Sequence, residues 1–382
     1  MAGKGVYIYS HEFLDYKFSQ QHPFNPLRLK LTTELLEAAG LLQPEDIVQP
    51  NYAALDQLEL VHDPLYIEMV QAAGLTGTAS GKALSYGLGT GDNPIFRGMH
   101  HAASLVVGAT IKAAELVMEN KVQHALNIGG GLHHAQFDKA SGFCIYNDAA
   151  AAIAWALQKY KARIMYIDTD AHHGDGVQWL FYNNPEVLTV SIHESGTYLF
   201  PGTGSIDELG IDRGAGYSIN LPLEPYTHDT SYIECLEDLL VSITKRFKPD
   251  LIISQNGCDN HFLDPLAHLS LTTRALREIP QLTHNLAHEY CEGRWVAVGG
   301  GGYDIWRVVP RAWAMVWAEV ANRPLPIDMP STWLHKWQEV SPVRLPEKMD
   351  DDPGDYPLNP KHKDISEKNK LSLLRLKKNL II

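Results

Sequence analysis

The chain is poor in cysteine. Cys144, Cys235, Cys258 and Cys291 are its only four. They lie far apart and form no C-x-x-C pair, so neither a disulfide-stapled scaffold nor a thiolate zinc ribbon is expected. Basic residues are also scarce: 32 Lys and Arg face 45 Asp and Glu, a formal charge of −13. Phosphate contacts need a basic face, so nucleic-acid binding is not expected. No unbroken apolar run approaches the roughly 20 residues that cross a bilayer, and no membrane association is expected. No basic stretch followed by an apolar one opens the sequence, so no secretory leader is expected. A cytoplasmic setting with reduced thiols follows. No internal repeat is visible.

Apolar residues make up 45% of the 382 positions, enough for a sizeable core. Strand patterns fall near 6–9, 125–128, 164–168, 187–193, 251–254 and 296–298. Helical patterns fall near 22–40, 99–119, 148–160, 230–247, 272–290 and 307–320. This alternation predicts an α/β domain with a mainly parallel sheet and helices on both faces. Residues 74–93 read as a loop. One domain is expected over 1–322. Beyond it, 323–382 is rich in proline and reads as an extended arm or exposed tail. Its final helix, 366–382, carries Leu373, Leu376 and Leu380 on one face, for docking or for a partner.

In parallel sheets, ligands gather beyond the carboxyl ends of the strands. Four candidate strands end in chemically loaded loops. The densest is Asp168-Thr169-Asp170-Ala171-His172-His173-Gly174-Asp175, which is costly to bury unless its charges are paired or hold a metal. Asp170 and His172, two apart, point the same way from extended backbone. Asp259, in Gly257-Cys258-Asp259-Asn260-His261, is the best third ligand. Three protein ligands with open positions describe a catalytic metal site. Zinc fits, and iron(II) remains open. Adjacent His133 and His134, after Gly129-Gly130-Gly131-Leu132, are expected to diverge. Two histidines and the spare Asp168 and Asp175 predict two His–Asp dyads beside an activated water, a general base and a general acid. Gly299 to Gly302 before Tyr303 is either a phosphate cradle or a sharp loop presenting the phenol. No Lys-Ser/Thr and no G-x-G-x-x-G spacing supports the cradle. Phe143 and Phe200 either line an apolar channel or pack their own loops. Cys144 and Cys258 read as small buried hydrophobes.

Together the strings GGGLHHA, SGFCIYND, IDTDAHHGDGVQ, FPGTG, GCDNHFLDPL and GGGGY resemble, in order, the motifs of the zinc-dependent histone deacetylase family. The resemblance runs from His22 to about Trp317. HPFNPLR and GTGDNP look most like its bacterial acetoin-utilisation branch. It implies the arginase/deacetylase fold, a single domain around an eight-stranded, mostly parallel sheet. It implies zinc at Asp170, His172 and Asp259, and hydrolysis of N-ε-acetyl-lysine in a protein or peptide, with an acetylpolyamine as the alternative substrate. His134 backed by Asp175 would be the main acid–base. His133 backed by Asp168 would be its electrostatic partner, and Tyr303 would polarise the carbonyl. Gly142, Phe143, Phe200, Leu266 and Gly301 would line the substrate tunnel, Asp92 the rim and Arg28 the acetate exit. Potassium is implied at main-chain oxygens of Asp168, Asp170 and His172 with Ser191 and Ile192. A second potassium is implied at Phe181, Asn184, Val187 and Tyr217. Met99-His100-His101-Ala102 departs from the eukaryotic pattern at the rim, and no D-x-D completes a two-metal site.

Overall fold

In the computed structural model, which describes residues 5–78, 81–352, 354, 356 and 358–380, the apolar runs form one sheet. Its strands are β1 (Gly5–Ile8), β2 (Ile47–Val48), β3 (His124–Asn127), β4 (Ile164–Asp168), β5 (Val187–Glu194), β6 (Ser218–Leu223), β7 (Leu251–Gln255) and β8 (Trp295–Val298). The order is β2-β1-β3-β8-β7-β4-β5-β6, and every pairing is parallel. All residues of β3, β4, β5, β7 and β8 are buried. Strands buried on both sides need helices on both faces, the requirement that continuous apolar runs announce.

The helices are α1 (Leu27–Ala38), α2 (Leu55–Leu58), α3 (Pro64–Thr76), α4 (Met99–Met118), α5 (Asp148–Tyr160), α6 (Asp175–Leu180), α7 (Asp229–Phe247), α8 (Thr273–Tyr290), α9 (Val309–Ala321), α10 (Ser331–Gln338) and α11 (His362–Asn379). One row runs α7, α8, α9, α1; another runs α3, α4, α5, α6. Among the described residues, α4 alone is long and apolar enough to cross a membrane. The run-length reading missed it because His100, His101, Lys112 and Glu115 interrupt it. It lies mostly buried against α5, β3 and β1.

The structure corrects several element boundaries. The helix expected over 22–40 begins at Leu27, because Pro23 and Pro26 hold the chain out of helix and Pro26 serves as N-cap. Helix α3 carries regular structure into the loop expected over 74–93. Within that loop, Ala79 and Ser80 lie outside the described residues. Strand β6 escapes the apolar pattern because it carries Asn220 and Pro222. It sits at the sheet edge, where a missing N–H costs little.

The largest correction follows Asn322. Its proline content predicts an arm or tail, yet α10 buries Trp333 and Trp337 against α1. Trp333 Nε1 donates to the Leu31 carbonyl at 3.0 Å, and Trp337 Nε1 donates to Glu34 at 3.1 Å. Asp351 accepts from Arg311 at 2.8 Å, His261 at 2.8 Å and the Thr273 amide at 2.9 Å. Pro353 and Pro357 of the expected arm, and residues 381–382 of the expected final helix, lie outside the described residues. Helix α11 docks on β6 and α7 through Ile365, Leu373 and Leu376. Its buried Asn369 bonds the Glu224 amide, Thr227 and Ser231.

Removing the Trp333 indole empties a fully buried site. Trp333→Ala is expected to cost about 3–5 kcal/mol in chemical denaturation. Wild-type stability in that variant would mean that α10 is only loosely attached.

Candidate active site

Four neighbouring strands, in the order β3, β8, β7, β4, deliver the four loaded loops to one edge. The loops are joined by carboxylates that accept from backbone amides. Asp170 Oδ2 accepts from the Gly301 amide at 2.6 Å, and Asp259 Oδ1 from the Ala171 amide at 2.9 Å. This proximity demands glycine: a Cβ on Gly301 would lie 2.0 Å from Asp259 Oδ2. The phosphate-cradle reading of the glycine run finds no support, because its backbone serves protein carboxylates.

Asp170, His172 and Asp259 are buried, with one ligand atom of each within 4.8 Å of the others. His172 Nδ1 lies 2.8 Å from Asp259 Oδ2 and 3.2 Å from Asp170 Oδ1. Burial, then the neighbouring Asp170, pushes Asp259 up to about 6. Desolvation opposes a proton on His172, but both carboxylates outweigh it and raise its pKa well above the usual imidazole range. Two buried carboxylates this close require positive charge between them. An imidazolium at His172 answers part of that demand; a divalent ion that displaces its proton answers it fully. The donor set of two carboxylates and one imidazole therefore fits a divalent metal.

His133 and His134 converge rather than diverge. Their Nε2 atoms are 3.0 Å apart and their rings 4.0 Å. Residues 133 and 134 lie in a turn, not in the extended form in which neighbours alternate. His133 Nδ1 donates to Asp168 Oδ2 at 2.8 Å, and His134 Nδ1 donates to Asp175 Oδ1 at 2.6 Å. Before the charge of any ion is added, the two rings titrate apart. Desolvation opposes a proton on His133, but Asp168 and Asp170 prevail and lift it to about 9. Burial and then His133 lower His134 to about 4, against Asp175. With no ion in place, His133 thus holds a proton more readily than His134.

Tyr303 reaches the same small cavity, about 20 Å³, as His133, His134, Asp170 and His172. That is room for about one water molecule. Burial, then Asp259 and Asp170, holds the phenol well above its ordinary pKa, so it is a donor. Its ring meets Phe143 edge-on at 5.9 Å, while Phe200 meets His134 edge-on at 4.9 Å. Gly142 lies beside them; a Cβ there would sit 2.4 Å from His134 Cδ2 and 2.9 Å from Phe200 Cε1. Leu266, half-buried, donates its amide to Asp264, and the other oxygen of Asp264 accepts from the Tyr303 amide at 2.8 Å. Arg28 is buried under the glycine loop. It donates to the Gly302 carbonyl at 3.1 Å and lies over Phe24 and Trp313. Asp92 is exposed; its carbonyl accepts from His22, whose ring packs on Phe143 at 4.7 Å.

The residues proposed for potassium form two groups along β5. Asp168 pairs with Ser191 across β4 and β5, and Ile192 follows. At the start of β5, Val187 donates to the Asn184 carbonyl and Asn184 donates to that of Phe181. The Tyr217 carbonyl accepts from Thr189 at 3.0 Å.

Several supporting residues went unrecognised in the sequence. Asp148 accepts from the amides of Gly131 and Leu132 and from Thr110, fixing the His-His loop. Asn147 caps α5 and donates to the carbonyls of His133 and Ala135. Their signal was only an Asn-Asp pair at a helix start. His173 bonds Thr203 and Gln178, anchoring the loop that carries Phe200. Buried His62 gave no signal; it donates to the Gln136 carbonyl at 2.9 Å and accepts from the Asn147 amide at 3.0 Å.

The profile of the histone deacetylase domain matches residues 22–320. An acetoin utilization protein AcuC of Bacillus subtilis is 52% identical over 364 residues, 95% of this chain and 94% of that protein. One from Staphylococcus aureus is 46% identical over 376 residues, 98% of this chain and 97% of that protein. A solved structure of a histone deacetylase homologue from Aquifex aeolicus superposes with a TM-score of 0.85 at 29% identity, covering 96% of this chain and 100% of its own.

Buried His62 makes stability depend on pH. Its folded pKa, pushed down by burial, is about 4, against 6.5 for the ordinary side chain. Between these values the unfolded chain takes up a proton that the folded one refuses, so stability falls as pH drops, by up to roughly 3 kcal/mol at full separation. The His62→Asn variant is expected to unfold more easily near pH 7 and to lose less on going to about pH 5. Parallel slopes in urea titrations of the two proteins would refute this. The matched profile spans the four loops that build this site, and the chain belongs to the histone deacetylase family.

Proposed function

We propose that this deacetylase is a zinc-dependent hydrolase of N-ε-acetyl-lysine in proteins, releasing acetate. The observation that carries this reading is the meeting of the His134–Asp175 dyad, two members of the three-ligand cluster and Tyr303 at one small cavity. Phe143, edge-on to Tyr303, and Phe200, edge-on to His134, would flank an unbranched aliphatic chain such as that of lysine. Asp170, His172 and Asp259 would hold the metal, which when bound supplies Lewis acidity to water and to the acetyl carbonyl. His134 takes a proton from water and returns one to the departing amine, while Asp175 fixes its tautomer. The Tyr303 hydroxyl donates to the carbonyl oxygen as negative charge develops there. His133, backed by Asp168 at 2.8 Å and 3.0 Å from His134, is its electrostatic partner. Potassium at the carbonyl groups along β5 would brace the loop after β4. The substrate we favour is an acetylated cytoplasmic protein, engaged at the rim by Asp92. Faster turnover of acetylpolyamines than of acetyl-lysine peptides would overturn that choice.

Two substitutions separate the roles. His134→Ala is expected to retain metal and lose on the order of 10²–10⁴ in rate, the usual span for a general acid–base; near-normal turnover would remove it from the mechanism. Asp259→Asn is expected to lose one equivalent of zinc in elemental analysis, together with inhibition by a hydroxamate chelator. A full complement of metal in that variant would refute Asp259 as a ligand.

A further inference from the structure

The N-terminal ends of β3 and β8 carry a second cluster, on the sheet edge opposite the active site. His124 opens β3, and His284 and His288 stand one turn apart on α8. One ligand atom from each lies within 4.8 Å of the others. We propose that His124, His284 and His288 bind a divalent transition-metal ion of the zinc class.

The geometry supports this at each ligand. Residues four apart on a helix share a face, so α8 presents two imidazoles together. The Nε2 atoms of His124 and His288 are 3.2 Å apart. Two nitrogens at the usual zinc distance of about 2.0–2.1 Å in a tetrahedral site are separated by roughly 3.3 Å. His284 Nδ1 donates to Glu319 of α9 at 3.2 Å. A carboxylate behind an imidazole fixes the tautomer and leaves Nε2 free as a ligand. The indole of Trp295 stacks on His284 and meets His124 edge-on, closing one side of the cluster.

His124 is the strongest argument. It is 2% exposed, and its Nδ1 is buried without a well-formed hydrogen bond. Its other nitrogen meets only an imidazole. Burial and the two neighbouring rings disfavour a proton on it, which leaves a lone pair to give. An imidazole held this way is costly in a core and useful as a ligand. His284 is half-buried and His288 exposed, so an ion can enter from solvent without unfolding. Once seated, it would tie α8 to the strand whose far end carries the His-His loop.

The test uses the full chain, without a polyhistidine tag, carrying Asp259→Asn to weaken the catalytic site. Zinc and cobalt(II) are titrated by calorimetry, with and without His288→Ala added. His288 is exposed, so its replacement should leave folding intact; His284→Gln serves as a second variant. The expected result is one equivalent bound at the triad with a Kd on the order of 1 µM or tighter. It should weaken at least about tenfold, or 1.4 kcal/mol, in His288→Ala. Zinc should also raise the thermal midpoint of the Asp259→Asn protein and not that of the double variant. Equal zinc binding with and without His288→Ala, or no binding tighter than on the order of 0.1 mM, would overturn the proposal.

Discussion

Carboxylates buried at the end of a parallel sheet are the constraint on which this protein depends. Asp148, Asp168, Asp170, Asp175, Asp259 and Asp264 are all buried. Each must be met by donors, because an unsatisfied buried group forfeits about 1–3 kcal/mol, more when charged. The donors are side chains and the backbone amides of other loops. Asp148 gathers the loop after β3, Asp170 reaches the glycine run after β8, and Asp264 holds the backbone of Tyr303. The carboxylates therefore act as knots between loops. The glycines near them are there because any side chain would collide with a knot.

The same crowding divides labour between two neighbouring imidazoles. His133 and His134 each have one aspartate behind them. His133 also feels Asp170, which favours a proton on it against burial, whereas burial and His133 disfavour one on His134. Sequence position offers no reason for this asymmetry. It arises from which ring the loop turns toward the carboxylate cluster.

Much of the fold was legible because parallel strands buried on both faces read as unbroken apolar runs, and 164–168 and 148–160 match their elements end to end. Strand β6 was illegible because an edge strand tolerates Asn220 and Pro222. Helix α10 was hidden by flanking prolines and reveals itself only through two buried indoles. In the site, Asp170 and His172 announced themselves by spacing. The convergence of His133 and His134 depends on a turn at those two residues, which periodicity cannot supply. His62 and Asp148 act on loops distant in sequence, so no local pattern marks them.

The bond network at Asp351 has a consequence for the order in which the molecule is made. Asp351 grips His261, two residues past Asp259, and the first turn of α8 through Thr273. It also takes the guanidinium of Arg311 on α9. A chain emerging from the ribosome has displayed every residue of the candidate centre by Tyr303, yet the brace around the loop after β7 arrives about fifty residues later. Until then His261 and Arg311 lack their shared carboxylate. The loop after β7 is thus braced by a carboxylate made well after the last residue of the centre, and a chain cut before Asp351 would hold the centre's whole composition without this brace.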